Sequence, residues 1–183
     1  PGRNNRERCA FYDCFPFEYP AGGTGDCRES CLSVRSAGGH AGAMLSYVSY
    51  EILEGKPELA GLPATFGTAG ECTTLKLLCE DRHVGMQAEL LYTVFQDVDV
   101  VTRSVKITNT GKEHFYLTKV CSACLDMDNR DYDMISLHGS WGRERHIQRK
   151  TLGYGIQNVS SLRGESSHQD HPFLALVEKS ATQ

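Results

Sequence analysis

Ala88-Glu-Leu-Leu-Tyr-Thr-Val-Phe95, followed after Gln96 and Asp97 by Val98-Asp-Val-Val-Thr-Arg-Ser-Val-Lys-Ile-Thr108, decides the fold. Both runs are rich in β-branched and aromatic residues, with partial alternation of apolar and polar side chains. That is the pattern of a strand with one face buried. Working outward, Leu45–Leu53, Thr74–Cys79 and Phe115–Val120 repeat the signal, and shorter candidates follow at Asp133–Leu137, His146–Lys150, Ile156–Ser160 and Phe173–Val177. Leu117–Leu125, which contains Cys121 and Cys124, also has the composition of a strand. Turn residues punctuate the runs at Gly38-Gly39, Asn109-Thr-Gly111 and Gly153. No window of a dozen residues sustains apolar positions at helical spacing. About ten strands without intervening helices predict an all-β fold, a large two-sheet antiparallel β-sandwich. Glu54–Thr65, broken by Gly and Pro, is expected to be a crossing loop, and the segment up to Pro20 to dock on the sandwich.

The 183 residues suffice for one domain with a proper core, so residues 1–183 are expected to form a single domain. A hydrophobic share of 40% with 23% charged residues argues against wholesale disorder. No apolar run approaches the roughly 20 residues of a membrane-spanning helix, so no membrane partner is expected. Nineteen basic against twenty-three acidic side chains give a net charge of −4 with no sustained basic block, which argues against nucleic acid as a partner.

The eight cysteines are too dilute for a disulfide scaffold in a chain of this length, and reduced thiols are expected. Cys27 with Cys31 and Cys121 with Cys124 have the spacing of paired zinc ligands. Neighbouring small buried residues explain them better, and no metal or other cofactor is expected.

Three polar clusters could carry chemistry. Ala21-Gly-Gly-Thr-Gly-Asp-Cys-Arg28 forms a glycine loop in which Asp26 and Arg28 either present a carboxylate and a guanidinium to a polar ligand or brace the loop against each other. The acidic run Asp126–Asp133 fails as an EF-hand, with Arg130 fifth, Asp131 sixth and Leu137 twelfth, and is expected to be an exposed turn. Arg163–Phe173 holds Ser167 beside His168 but lacks the closing glycine of a nucleophile elbow. Trp141 is either a sugar-stacking platform or an interface residue.

Tyr19–Arg28, Gly55–Thr65, Leu137-His-Gly-Ser-Trp-Gly-Arg-Glu-Arg-His146 and Ser161–Phe173 occur in order. Together they resemble the N-terminal β-supersandwich domain of the α-galactosidases in glycoside hydrolase family 36, over nearly the whole chain. The resemblance implies that a (β/α)8 barrel carrying both catalytic aspartates follows beyond residue 183. It therefore implies no catalytic residue in this chain, which is expected to be inert alone. It implies a retaining enzyme acting on α-galactosides such as melibiose and raffinose, and a homo-oligomer, a tetramer in many members. In such an assembly this domain reaches the active site of a neighbouring subunit. It assigns substrate binding to Asp26, whose carboxylate would accept sugar hydroxyls. It assigns the same role to His171, which stands where the family has Asn and offers one hydrogen bond per ring nitrogen. Ser30 replaces a Pro and Cys27 an aromatic of the family pattern. A cytoplasmic bacterial protein is the expected source. The rival expectation is a non-catalytic carbohydrate-binding sandwich using Trp141, Asp26 and the His168–His171 loop.

Overall fold

The computed structural model describes residues 15–26, 28–61, 64–128 and 130–182. Alternation along the central runs fixes the pairing. Ala88, Leu90 and Tyr92 lie opposite Ile107, Val105 and Arg103 on one side, and opposite Cys79, Leu77 and Leu75 on the other. A one-residue slip would turn Leu90, 2% exposed, to the opposite face, so burial specifies the register. The result is a four-stranded antiparallel meander, β2 (Ser46–Glu54), β3 (Cys72–Asp81), β4 (Met86–Phe95) and β5 (Val101–Asn109).

Its buried face is covered by an antiparallel pair, β1 (Leu32–Ser36) with β6 (Phe115–Val120). Leu32 and Val34 of β1 pack with Met86 and Leu90 of β4, flanked by Leu77, Val105, Ile107 and Phe115. Full burial of each large side chain contributes about 1.5–3 kcal/mol. Of the segment up to Pro20, residues 1–14 lie outside the described residues, and the described end of it docks as expected. Tyr19 is buried, its hydroxyl donates to the Cys121 carbonyl at 2.6 Å, and the Pro20 carbonyl accepts from Cys31 N at 2.8 Å. Burial pushes the Tyr19 phenol up to about 12.

The chain divides into two compact units that meet in sequence at Asp126 and Met127. The second holds one antiparallel sheet in the order β8 (Arg143–Thr151), β7 (Asp133–Ser140), β9 (Asp170–Val177). Pro172 cannot donate to a ladder. It falls on this edge strand inside an irregularity where pairing passes from Ser136↔Leu174 to His138↔Asp170.

Among the described residues there is no helix, and all ladders between strands are antiparallel. The all-β antiparallel sandwich is present, its strands distributed over three hydrogen-bonded sheets. Three local expectations need correction, and one strand was missed. Ile156–Ser160 forms no strand, and Ile156 is exposed. The strand over Leu117–Leu125 stops at Val120, leaving Cys121 and Cys124 in irregular chain. The strand expected from Val98 begins at Val101, because Val100 N bonds the Val98 carbonyl at 2.7 Å and turns the chain there. Finally β1 escaped notice, since five residues carry too short an alternation to stand out.

Candidate functional site

In the glycine loop, Gly23 has φ +91° and a Cβ there would sit 3.0 Å from Gly42 Cα, so only glycine lets the two backbones approach. The loop delivers Asp26 with its side chain 4% accessible. Arg28 Nε donates to Oδ1 at 3.0 Å and Nη2 to Oδ2 at 2.8 Å, while the Arg28 backbone N–H also donates to Oδ1 at 3.0 Å. The Arg28 fork and its amide hold the Asp26 carboxyl below its ordinary 3.8, and so ionised. The bracing reading of the loop is therefore realised. A carboxylate has about four lone-pair sites, so after these three bonds one acceptor direction on Oδ2 is left. Arg28 Nη1 reaches onward to Asp126 Oδ1 at 3.4 Å. Cys27 lies outside the described residues.

His171 belongs to the second unit, at the start of β9 in the irregular register before Leu174. Its Nδ1 is enclosed and has no hydrogen-bond partner. An enclosed, unsatisfied ring nitrogen costs free energy unless something supplies a bond. The same strand start carries a constellation the sequence reading missed. Asp170 Oδ1 is 2.6 Å from His138 Nδ1, and His138 Nε2 is 2.7 Å from Ser136 Oγ. Ser136 and His138 are two apart on β7 and share a face, and Asp170 is the register partner of His138. The connectivity is that of a serine hydrolase triad, but Ser136 is 1% exposed and closed to an acyl substrate. Its role here is to clamp the start of β9, and with it His171, onto β7. The Ser-x-His spacing on a strand was the available signal.

The other candidates resolve into structural roles. Ser167 is buried and its Oγ accepts from Gln169 N at 3.0 Å. The acidic run is exposed from Asp126 to Asp131 where described, and its last member, Asp133, is buried against Arg149 and Thr151. Arg149 also binds the carbonyls of Glu178, Lys179 and Ala181. Trp141 stands 87% exposed at the β7–β8 tip, where Gly142 N donates to Glu144 Oε1 at 2.7 Å. Among the described residues no group of three or more His, Cys, Asp and Glu could hold a metal ion. No helix long and apolar enough to cross a membrane occurs among them.

Set beside known proteins, residues 2–183 match the Glycosyl hydrolase family 36 N-terminal domain. The chain is 43% identical over 166 residues to a probable alpha-galactosidase G of Aspergillus terreus, covering 91% of this chain and 23% of that protein. It is 40% identical over 182 residues to alpha-galactosidase AgaA of Geobacillus stearothermophilus, covering 99% of this chain and 25% of that one. A crystal structure of an AgaA variant in complex with raffinose superposes with TM-score 0.87 at 42% identity, over 90% of this chain and 23% of the other. The chain thus spans about a quarter of the length of these relatives. With the family match running from residue 2 to residue 183 and the fold shared at that level of identity, this chain belongs to the N-terminal domain family of glycoside hydrolase family 36.

Proposed function

We propose that this chain is the N-terminal part of a retaining α-galactosidase that removes terminal α-galactosyl residues from galactosides of the melibiose and raffinose type. The observation that carries the reading is the family match over residues 2–183, joined to 42% identity with an α-galactosidase whose crystal structure holds raffinose. Hydrolysis with retention needs two carboxyl groups about 5–5.5 Å apart on either side of the scissile bond. In this reading they lie on a catalytic barrel beyond residue 183, the two units together form the single N-terminal domain, and their work is selection and assembly. The whole enzyme is a homo-oligomer, and this domain contributes to the substrate site of a neighbouring subunit.

Each unit supplies one binding group. Asp26 offers its remaining lone-pair direction to a galactosyl hydroxyl, and the Arg28 fork keeps the carboxylate charged and aimed. His171 offers the unsatisfied Nδ1 to the same class of ligand. The cytoplasm is the proposed compartment. The described cysteines, Cys31, Cys72, Cys79, Cys121 and Cys124, are all free thiols, which suits reducing surroundings.

The test uses the full-length enzyme and a chromogenic α-galactoside. Residues 1–183 alone should show no turnover. In the full enzyme, Asp26→Ala should raise KM about tenfold or more while kcat changes little, since one hydrogen bond to a charged group is worth about 1.5–3 kcal/mol. An inactive full-length chain removes the α-galactosidase assignment. A normal KM with altered assembly makes Asp26 a scaffold residue.

A further inference from the structure

The irregularity in the β7–β9 ladder contains a residue proposed for the substrate site. Antiparallel pairing runs without a break from Asp133↔Val177 to Ser136↔Leu174 and resumes at His138↔Asp170. Between those pairs β7 has only Leu137, whereas β9 has His171, Pro172 and Phe173, so β9 carries two residues more than β7 over this stretch. A bulge of this kind re-aims the side chains it contains. Its Leu174 end is held by the continuous ladder. Its Asp170 end is held by the bond between Asp170 Oδ1 and His138 Nδ1 at 2.6 Å and by Gly139 N donating to the Gln169 carbonyl at 3.2 Å. We propose that His138 is a positioning residue for substrate binding, which by holding Asp170 fixes the β9 bulge and, through the bulge, the placement of His171.

His171 has little conformational freedom of its own. A residue that precedes proline is restricted to extended backbone, and the Pro172 ring fixes the next φ. The location of the His171 ring therefore follows from where Asp170 on one side and Leu174 on the other are pinned. Its Nδ1 is enclosed and has no hydrogen-bond partner. A hydrogen bond weakens steeply once distance and angle leave a narrow range, so a shift of the bulge costs His171 its bond to a ligand hydroxyl. His138 is itself held. A carboxylate oxygen accepts, so the Nδ1 hydrogen points to Asp170, and in the neutral ring Nε2 accepts from the Ser136 hydroxyl at 2.7 Å. Ser136 is buried two residues back on β7, which locks the ring against its own strand.

The backbone bond from Gly139 does not replace this tie. At 3.2 Å it is at the long end for N–H···O, whereas a bond to a carboxylate is of the shorter and stronger kind. The two ring nitrogens have separate tasks, and amide side chains tell them apart. Asn at position 138 brings an amide nitrogen to the place of Nδ1 and keeps the Asp170 bond. Gln reaches the place of Nε2 and keeps only the Ser136 bond. The inference rests on the proposed binding role of His171 and adds to it a residue that does not touch the sugar.

The test measures KM and kcat of the full-length enzyme on a chromogenic α-galactoside. His171→Ala should raise KM about fivefold with kcat nearly unchanged, the worth of one neutral hydrogen bond. His138→Gln and Asp170→Ala cut the tie from either side and should raise KM as much, and adding either to His171→Ala should raise it no further. His138→Asn keeps the tie and should stay within about twofold of the unaltered enzyme. A normal KM for His138→Gln and Asp170→Ala, beside a raised KM for His171→Ala, overturns the positioning role and leaves His171 a ligand. A normal KM for His171→Ala removes both. Effects that multiply in the double variants show His138 acting by another route and overturn the proposal. So does loss of amide-exchange protection across β7 and β9 in both tie variants, which makes the tie an element of general stability.

Discussion

Replacing Thr74 and Thr93 by Val, singly and together, tests a proton order that the first unit's core imposes. Both side chains are buried, Thr74 fully and Thr93 to within 2%. Thr74 Oγ1 donates to the Gly55 carbonyl at 2.7 Å and is also 2.7 Å from Thr93 Oγ1. A hydroxyl has one hydrogen, so with that hydrogen on Gly55 O the second bond must run from Thr93 to Thr74. Thr93→Val then deletes one accepted bond and strands no donor, at a cost of about 0.5–1.5 kcal/mol. Thr74→Val strands both the Gly55 carbonyl and the Thr93 hydroxyl, at about 1–3 kcal/mol for each buried orphan, hence about 2–6 kcal/mol in all. The double variant removes the Thr93 orphan and leaves only Gly55 O, so it should be more stable than Thr74→Val alone. The assay is native-state amide exchange on β3 and β4, which reports this sheet without requiring the whole chain to unfold in one step. A difference of about 2 kcal/mol between the singles is about a 30-fold difference in opening constant. If Thr93→Val is as damaging as Thr74→Val, or if the two costs simply add in the double variant, the proton order is wrong.

Gly139→Ala should disrupt the β7–β8 hairpin. A Cβ there would collide with the Arg143 carbonyl oxygen and lie 2.8 Å from Glu144 Cα, both backbone atoms that cannot swing aside. The cost is about 1–3 kcal/mol, visible as lost exchange protection at β8 with β2–β5 unchanged. Carbon-detected NMR titration should find the Asp26 carboxyl ionising below 3.8, because the Arg28 fork and amide favour the charged form. A folded-state value depressed below the unfolded one contributes stability that is present above the unfolded value and disappears as pH falls through the folded one. The glycine loop should therefore loosen only in acid below the ordinary carboxylate range. A midpoint above 3.8 would mean that the Arg28 bonds are not kept in solution.

The all-β class and five of the long strands were legible in the residues themselves, whereas Asp26 and His171 were singled out as ligand residues only through the family resemblance. Alternation in Ala88–Phe95 and Thr74–Cys79 is a local signal, and burial on one face turns it directly into register. The glycine spacing of residues 22–28 likewise announced a tight loop holding Asp26 and Arg28. What the sequence left open were outcomes set by partners far along the chain. Ile156–Ser160 has strand composition but no ladder to join, while the five residues of β1 form a strand because β6, some eighty residues later, lies beside them.

Composition and periodicity determined that this chain folds into antiparallel sheets, since each strand's preference is written in its own side chains. Only the tertiary structure decided how its polar groups and thiols are used. It committed Asp26 to Arg28, joined Ser136, His138 and Asp170 across two strands, and brought Cys31 against Cys121 and Ala123. Hydrogen bonds and thiol contacts act over a few ångströms in space, and residues ninety apart in sequence come that close only after the sheets have formed.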